Sequence, residues 1–370
     1  MGEPSAPPSS SQPLWLPSPL TAFVVVTYFF LSMFLNYFNS YLLGGGVGQR
    51  HLQIPVFYCF VQQIAIVTFT SLWCAIVPAV RFPIWDTFRD NWRWLIFLSV
   101  FFSLSIAAHN VAFASISLTV VTIFTSSVPF PLMIFSAAIE GKRYSVPVIC
   151  IVAVLVGGTL LAVPWTPQPH LPTQPNLPPM WVGYAMVVVS TVATAMLPVV
   201  SAYLMRSVES SGSRHALSAL SMAWFNGAIA LPILGVSALV AEVYARPGVQ
   251  ETYTGAEAYD HAALTLVGCV AAGFYAPVTF YTIKLTSSLS FAIIGNFKQI
   301  VLLLFAALLV DHVTDPMLWG GVVVVGLSSV AYSYQVGYEK RVASDAVSRR
   351  ESLIPQKGVS SEATPLRTSV

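Results

Sequence analysis

Ten apolar runs, each about twenty residues long, recur along this chain with short polar breaks between them. They fall at roughly 20–43, 54–80, 94–114, 117–139, 145–163, 180–205, 216–241, 261–283, 287–310 and 316–337. A helix of that length crosses about 30 Å of hydrocarbon. Backbone groups in hydrocarbon find no water, so a run crossing it must satisfy them internally as helix. Composition agrees: 56% of the 370 residues are hydrophobic and 9% charged, against about a quarter charged in soluble domains. The fold class is therefore all-α integral membrane. A net charge of +2, scattered along short loops, points to no nucleic-acid partner.

Charge position then orients the spans. With both termini cytoplasmic, Arg81, Arg89, Arg93, Lys142, Arg143, Arg206, Arg214 and Lys284 lie in cytoplasmic loops. Lys340, Arg341, Arg349, Arg350, Lys357 and Arg367 lie in the tail, and only Arg50 and Arg246 fall on the far side. That asymmetry satisfies the positive-inside rule, and a span more or fewer would scramble it. Ten transmembrane helices with both termini cytoplasmic is the expected topology.

The segment 164–179 carries seven prolines and no charge, and reads as a stiff lumenal linker. It separates a first five-helix repeat (20–163) from a second (180–337). Residues 1–19 read as a disordered cytoplasmic N-terminus and 338–370 as a disordered cytoplasmic tail. Five spans per half make the halves enter the membrane from opposite sides, the arrangement of an inverted repeat. An echo at an offset of 171 supports this: Ser117-Leu118-Thr119 falls on Ser288-Leu289-Ser290, and Glu140 on Asp311. Span four thereby corresponds to span nine, with Ser127 opposite Lys298.

Lys298 is the only charged residue inside an apolar run. Near mid-bilayer it costs roughly 2.5–3.5 kcal/mol on insertion scales, so it is expected to face a wet cavity that handles anions. Snorkelling to an interface is the alternative. The preceding Gly295-Asn296 predicts an interrupted helix, with an amide offered beside the ammonium. Span four contributes Thr119, Thr122, Thr125, Ser126 and Ser127, as pocket lining or as a close-packed interface, and Pro129 and Pro131 predict a kink. His109 and Asn110 end span three. Asn36 and Asn39, Gln62 and Gln63, and Asn226 add amides that lipid would not tolerate, so they face the interior. Tyr275 and Tyr281 offer rings to a base or sugar, or pack as an interfacial belt.

No His-x-Glu metal motif, Walker loop, Cys-x-x-Cys pair or Gly-x-Ser-x-Gly elbow occurs, and no acidic pair lies within a span. The chain is expected not to be an enzyme and to need no metal or other cofactor. Its four cysteines, Cys59, Cys74, Cys150 and Cys269, read as small hydrophobes rather than a disulfide framework. Met1–Pro19 holds no Lys or Arg, which argues against a transit peptide.

Ten helices in two halves with Gly-Asn-x-Lys in span nine resemble the nucleotide-sugar and triose-phosphate transporter branch of the drug/metabolite transporter superfamily. The densest match is Thr286–Tyr334; "HNVAFASISLTVVTIFTSSVPF" (109–130) and "WFNGAIALPIL" (224–234) resemble its span three-to-four and span seven patterns. The resemblance implies that Lys298 binds substrate phosphate and that Tyr275 assists. Thr125 falls where many relatives carry lysine, Ser40 in a stretch where many carry Asn-Lys, and Gln299 where plastid exchangers tend to have arginine. Fewer cations favour nucleotide sugars over a small phosphate.

The expectation is an alternating-access antiporter that exchanges a cytosolic nucleotide sugar for a lumenal nucleoside monophosphate in the Golgi or endoplasmic reticulum membrane. Its site would comprise Lys298, Asn296, Tyr275, Thr125, Ser126, His109, Asn110, Asn226 and Asn39. A carrier of the same fold for another phosphorylated metabolite or organic solute is the alternative, and a non-transporting scaffold or receptor the third reading. Partners would be small-molecule substrate and membrane lipid; Gly320-Gly321 in span ten permits a homodimer.

Overall fold

The computed structural model describes residues 19–44, 52, 54–141, 143–161, 179–210, 217–244, 256–286, 288–310 and 315–353. Among them are helices and connecting turns and no strand. The helices are α1 (Pro19–Leu43), α2 (Pro55–Ile76), α3 (Ile84–Phe113), α4 (Leu118–Ser126), α5 (Pro129–Glu140) and α6 (Val146–Leu161). They continue with α7 (Met180–Ser210), α8 (Ala219–Ala238), α9 (Ala256–Thr286), α10 (Ser288–Phe305) and α11 (Pro316–Leu353). Eight helical segments are long and apolar enough to cross a membrane, α4 and α5 counting as one; Val146–Leu161 and Ile294–Val310 are shorter apolar helices. The chain is a multi-pass membrane protein. The N-terminal segment before Pro19, most of the proline-rich linker and the end of the tail lie outside the described residues.

Local chemistry sets the helix ends. Proline opens α2, α5 and α11, where its missing N–H would have had no partner anyway. Ser117 and Ser218 cap α4 and α8 by accepting from Val120 N and Ser221 N, and Asp315 Oδ1 accepts from Met317 N at 2.9 Å. Gly141 ends α5 at φ 66°, a left-handed conformation that glycine takes without Cβ strain. Span four breaks at Ser127-Val128, where Pro129 cannot donate to the preceding turn, as its prolines predict.

Two expectations are corrected. The helix does not unwind at Gly295-Asn296: α10 runs unbroken from Ser288 to Phe305, and the irregularity comes later, as a π-helical turn at Ala306–Val310. A Cβ on Gly295 would meet nothing within 4 Å, so no close backbone approach requires the glycine either. The tail is not irregular from residue 338: α11 continues to Leu353. Residues 339–353 contain neither Gly nor Pro and are rich in Ala, Glu, Lys and Arg, so propensity carries the helix on until Pro355 approaches.

Helix contacts obey an exchange rule. Pair α1 with α7, α2 with α8, α3 with α9, α4–α5 with α10, and α6 with α11. Swapping partners turns the α1–α9 contact into α7–α3 and the α2–α9 contact into α8–α3. It leaves α2–α8, α4–α10 and α6–α11 unchanged, and all of these contacts are present.

Apolar side chains collect in two main clusters. One joins Tyr28, Leu95, Leu98, Met205, Met222, Phe225, Phe280 and Phe291; the other joins Phe38, Leu42, Leu43, Leu52, Phe113, Leu118, Phe124, Val187 and Ala306. On α1, on α3, and on α10 with the π-helical turn that continues it, the two clusters lie on opposite sides of a shared middle stretch.

Candidate substrate site

That middle stretch encloses a cavity of about 210 Å³. Polar side chains reach it at helical spacing: Ser32, Asn36 and Asn39 from α1, Gln62 and Gln63 from α2, and Ser105, His109 and Asn110 from α3. Thr125 from α4, Thr194 from α7, Tyr275 and Thr279 from α9, and Lys298 and Gln299 from α10 complete the lining. Offsets of three, four and seven hold Ser32, Asn36 and Asn39 on one face of α1, and an offset of four does the same for Ser105 and His109 on α3 and for Tyr275 and Thr279 on α9.

Lys298 is 6% exposed and no Asp or Glu lines the cavity among the described residues. Its Nζ donates to Ser32 Oγ at 2.8 Å, and Ser32 Oγ donates on to Tyr275 OH at 3.4 Å. The ammonium also lies 5.4 Å from the centroid of the Tyr28 ring, a cation–π arrangement. Tyr28 stacks on Tyr275 with centroids 5.8 Å apart and an interplanar angle of 16°. The positive charge is thus held by a hydroxyl and an aromatic face, neutral partners that an entering anion can displace.

Opposite it lies a network of amides. Tyr58 OH donates to Asn39 Oδ1 at 3.0 Å, and Asn39 Nδ2 donates to Asn110 Oδ1 at 3.4 Å. Asn110 Nδ2 contacts Cys59 Sγ at 2.9 Å. His109 contacts Asn36 Oδ1 through Nε2 at 3.2 Å and Ser190 Oγ through Nδ1 at 3.3 Å, with its ring edge on Phe113. Thr125 Oγ1 donates back to the carbonyls of Val121 and Thr122, leaving its lone pairs toward the cavity. Gln299 Oε1 has no hydrogen-bond partner and so offers an acceptor at the wall.

Of the nine residues read from the sequence, Lys298, Tyr275, Thr125, His109, Asn110 and Asn39 line this one cavity. Ser126, Asn296 and Asn226 do not. Ser126 is buried with its hydroxyl on Thr122 O, while Asn296 and Asn226 are buried with Nδ2 and Oδ1 respectively unpartnered. The sequence reading missed Ser32, Tyr28 and Thr194 outright. Ser32 was findable: Ser32-x₃-Asn36-x₂-Asn39 is a polar stripe along one face of an otherwise apolar helix.

At the margin of the site, the π-helical turn Leu239–Tyr244 after α8 brings Glu242 to the start of α2. Its carboxylate accepts from Val56 N at 2.6 Å and Phe57 N at 2.9 Å. Negative charge at a helix N-terminus meets the positive end of the macrodipole, so this contact joins the two halves at one end of the α2–α8 pair. Among the cysteines, Cys59 and Cys269 are buried, Cys74 is half-buried and Cys150 is exposed, all as free thiols.

The family model of the UAA transporter family matches residues 24–336, from α1 into α11. No curated protein matches. A solved crystal structure superposes with a TM-score of 0.52 at 13% identity, covering 86% of this chain and 98% of the other. At that identity the likeness shows the fold alone.

Proposed function

This chain belongs to the UAA transporter family, and from that premise we propose that it exchanges a cytosolic nucleotide sugar for a lumenal nucleoside monophosphate. It is a membrane transporter of nucleotide-sugar type rather than an enzyme. The finer reading is carried by one observation: a lone ammonium, Lys298, faces a polar cavity with no carboxylate to neutralise it. A charge in that setting is retained where a counter-charge arrives with the ligand. The diphosphate of a nucleotide sugar supplies it. Displacing Ser32 Oγ and the Tyr28 face exchanges a hydrogen bond charged on the donor alone for one charged on both donor and acceptor.

The rest of the cavity suits the rest of the ligand. Tyr275, backed by Tyr28, offers its ring to the base at the cavity wall, and Asn39, Asn110, Gln62 and Gln63 offer amide donors and acceptors to base edges or sugar hydroxyls. Ser126, Asn296 and Asn226 lie outside the cavity and are left out of this contact set. At about 210 Å³ the cavity is smaller than the roughly 300–1,000 Å³ of a ligand site, and an apolar cluster closes each end. This suits a carrier between openings. Parting one cluster while the other stays shut exposes Lys298 to one side of the membrane at a time.

The same reading takes the eight long helices and two shorter ones as ten spans in two inverted repeats with both termini cytoplasmic. The exchange rule among helix contacts supports it, since a two-fold axis in the membrane plane generates that pairing. Golgi or endoplasmic reticulum membrane is the compartment in which such an exchange delivers sugar donors.

Lys298→Ala tests the site. The account expects uptake of nucleotide sugar into reconstituted vesicles to be abolished while expression and detergent extraction match wild type. Unchanged uptake would remove Lys298 from the site, and with it this reading.

A further inference from the structure

His109 shares the cavity with Lys298, and its two ring nitrogens face the carbonyl oxygen of Asn36 and the hydroxyl oxygen of Ser190, which also lies within hydrogen-bond reach of Ser105 O. Asn36 is oriented by its amide nitrogen, which donates to Ser32 O at 2.7 Å, so Oδ1 is the atom turned to His109 Nε2. Flipping that amide would set two carbonyl-type oxygens against each other. Ser190 has a single hydroxyl proton, and it goes to Ser105 O at 3.0 Å, leaving a lone pair toward His109 Nδ1. A neutral imidazole has one donor and one acceptor. The neutral Nε2–H tautomer serves Asn36 Oδ1, but its bare Nδ1 is then satisfied only if the Ser190 hydroxyl turns to it and leaves Ser105 O. The imidazolium, with two donors, serves both neighbours and leaves the Ser190–Ser105 bond in place.

In the empty cavity the nearby Lys298 ammonium opposes a second positive charge. Tyr275 is the other titratable side chain lining this space, with Tyr28 stacked against it and Tyr58 and Cys59 on α2 touching Asn39 and Asn110 of the lining. None of these becomes a cation. α7 presents only hydroxyls, Ser190 and Thr194. A diphosphate brings about two negative charges, and Lys298 balances one. We propose that binding of a dianionic substrate is accompanied by uptake of one proton from the buffered solution, its conjugate base staying in solution, onto the bare ring nitrogen of His109, making it the second cation of the site. The inference rests on the nucleotide-sugar reading for the identity of the anion, but the proton uptake follows from any dianion.

The experiment is calorimetric titration of the purified full chain with a nucleotide-sugar panel, nucleoside monophosphates and sulfate. Each titration is run at pH 7.5 in two buffers of widely different ionisation enthalpy. Nucleotide sugars and sulfate do not titrate near that pH, so any buffer-dependent heat reports protons taken up by the protein. The expected result is uptake approaching one proton per nucleotide sugar bound, with affinity rising as pH falls, by up to tenfold per unit. His109→Gln, which can hydrogen-bond but not titrate, is expected to bind more weakly and with no uptake. Asn36→Asp sets a carboxylate beside the ring, protonates it beforehand and likewise abolishes uptake. Wild-type binding without proton uptake, or uptake that persists in His109→Gln, overturns the inference and leaves the nucleotide-sugar reading standing. Proton-linked sulfate binding with no nucleotide bound overturns that reading and keeps the inference. Binding of no anion overturns both.

Discussion

Gly268 on α9 is where the packing of this transporter meets its polar cavity. A Cβ built there would lie 2.0 Å from Tyr58 Oη, 3.1 Å from Tyr58 Cζ and 3.0 Å from Phe38 Cε1. A comfortable carbon–oxygen contact is about 3.3–3.6 Å, so Gly268→Ala forces the Tyr58 hydroxyl to retreat by more than about 1 Å. Tyr58 is 1% exposed and its hydroxyl donates to Asn39 Oδ1, so the retreat is resisted by the core and breaks a bond of the amide network. Overpacking costs about 1–3 kcal/mol and a stranded buried acceptor about 1–3 kcal/mol. Together these give a loss of about 2–6 kcal/mol. Tyr58→Phe alone loses the hydrogen bond but removes the clashing atom. In the double variant Gly268→Ala/Tyr58→Phe the alanine meets only the ring, and part of the loss returns. A thermal-stability cycle on the four proteins in one detergent measures this. The expected coupling is about 1–3 kcal/mol in favour of the double variant. Strict additivity would mean that Gly268 and Tyr58 do not touch, and the helix register between α2 and α9 would have to be redrawn.

Two further results are expected. Glu242→Ala removes both acceptors from Val56 N and Phe57 N together with the charge at the α2 N-terminus, and should destabilise the protein by about 2–4 kcal/mol in the same thermal assay; Glu242→Gln keeps an acceptor and should recover about half. A stability of Glu242→Ala equal to wild type would mean that the carboxylate does not cap α2. For topology, Ser361→Cys should react with an impermeant maleimide in sealed, cytosol-side-out vesicles, whereas Thr173→Cys should react only after permeabilisation; labelling of both before permeabilisation would refute the ten-span count.

The membrane class, the positions of eight long apolar helices and the buried lysine were legible because each follows from one-dimensional chemistry. A charge in an apolar run is visible without a structure, as are prolines that break span four at Ser127-Val128. Helix faces were legible in part. His109 and Asn110 stood out as polar residues ending an apolar run, and the cavity takes both. The misses share a cause. Ser32 is a small residue whose importance comes only from its partner Lys298, which is 266 positions away in the chain. Asn296 stands two residues from Lys298, and two residues on a helix turn about 200°, so a neighbour in sequence points away from the cavity. The Gly295 interruption failed because a glycine in a helix packed against α1, α4, α7, α9 and α11 loses less than its propensity suggests, tertiary packing overriding it. The helix beyond residue 338 was hidden by polarity, which marks departure from the membrane and not the end of a helix.

The central claim is that Lys298 meets the phosphate of a nucleotide sugar during exchange. Its most direct test uses proteoliposomes preloaded with GMP, UMP, CMP or AMP and offered a panel of labelled nucleotide sugars, with wild type and Lys298→Ala side by side. The account predicts trans-stimulated uptake of a nucleotide sugar with its matching monophosphate by wild type, and none by the variant. Folded wild-type protein that takes up no member of the panel, or a variant that matches wild type, would contradict it.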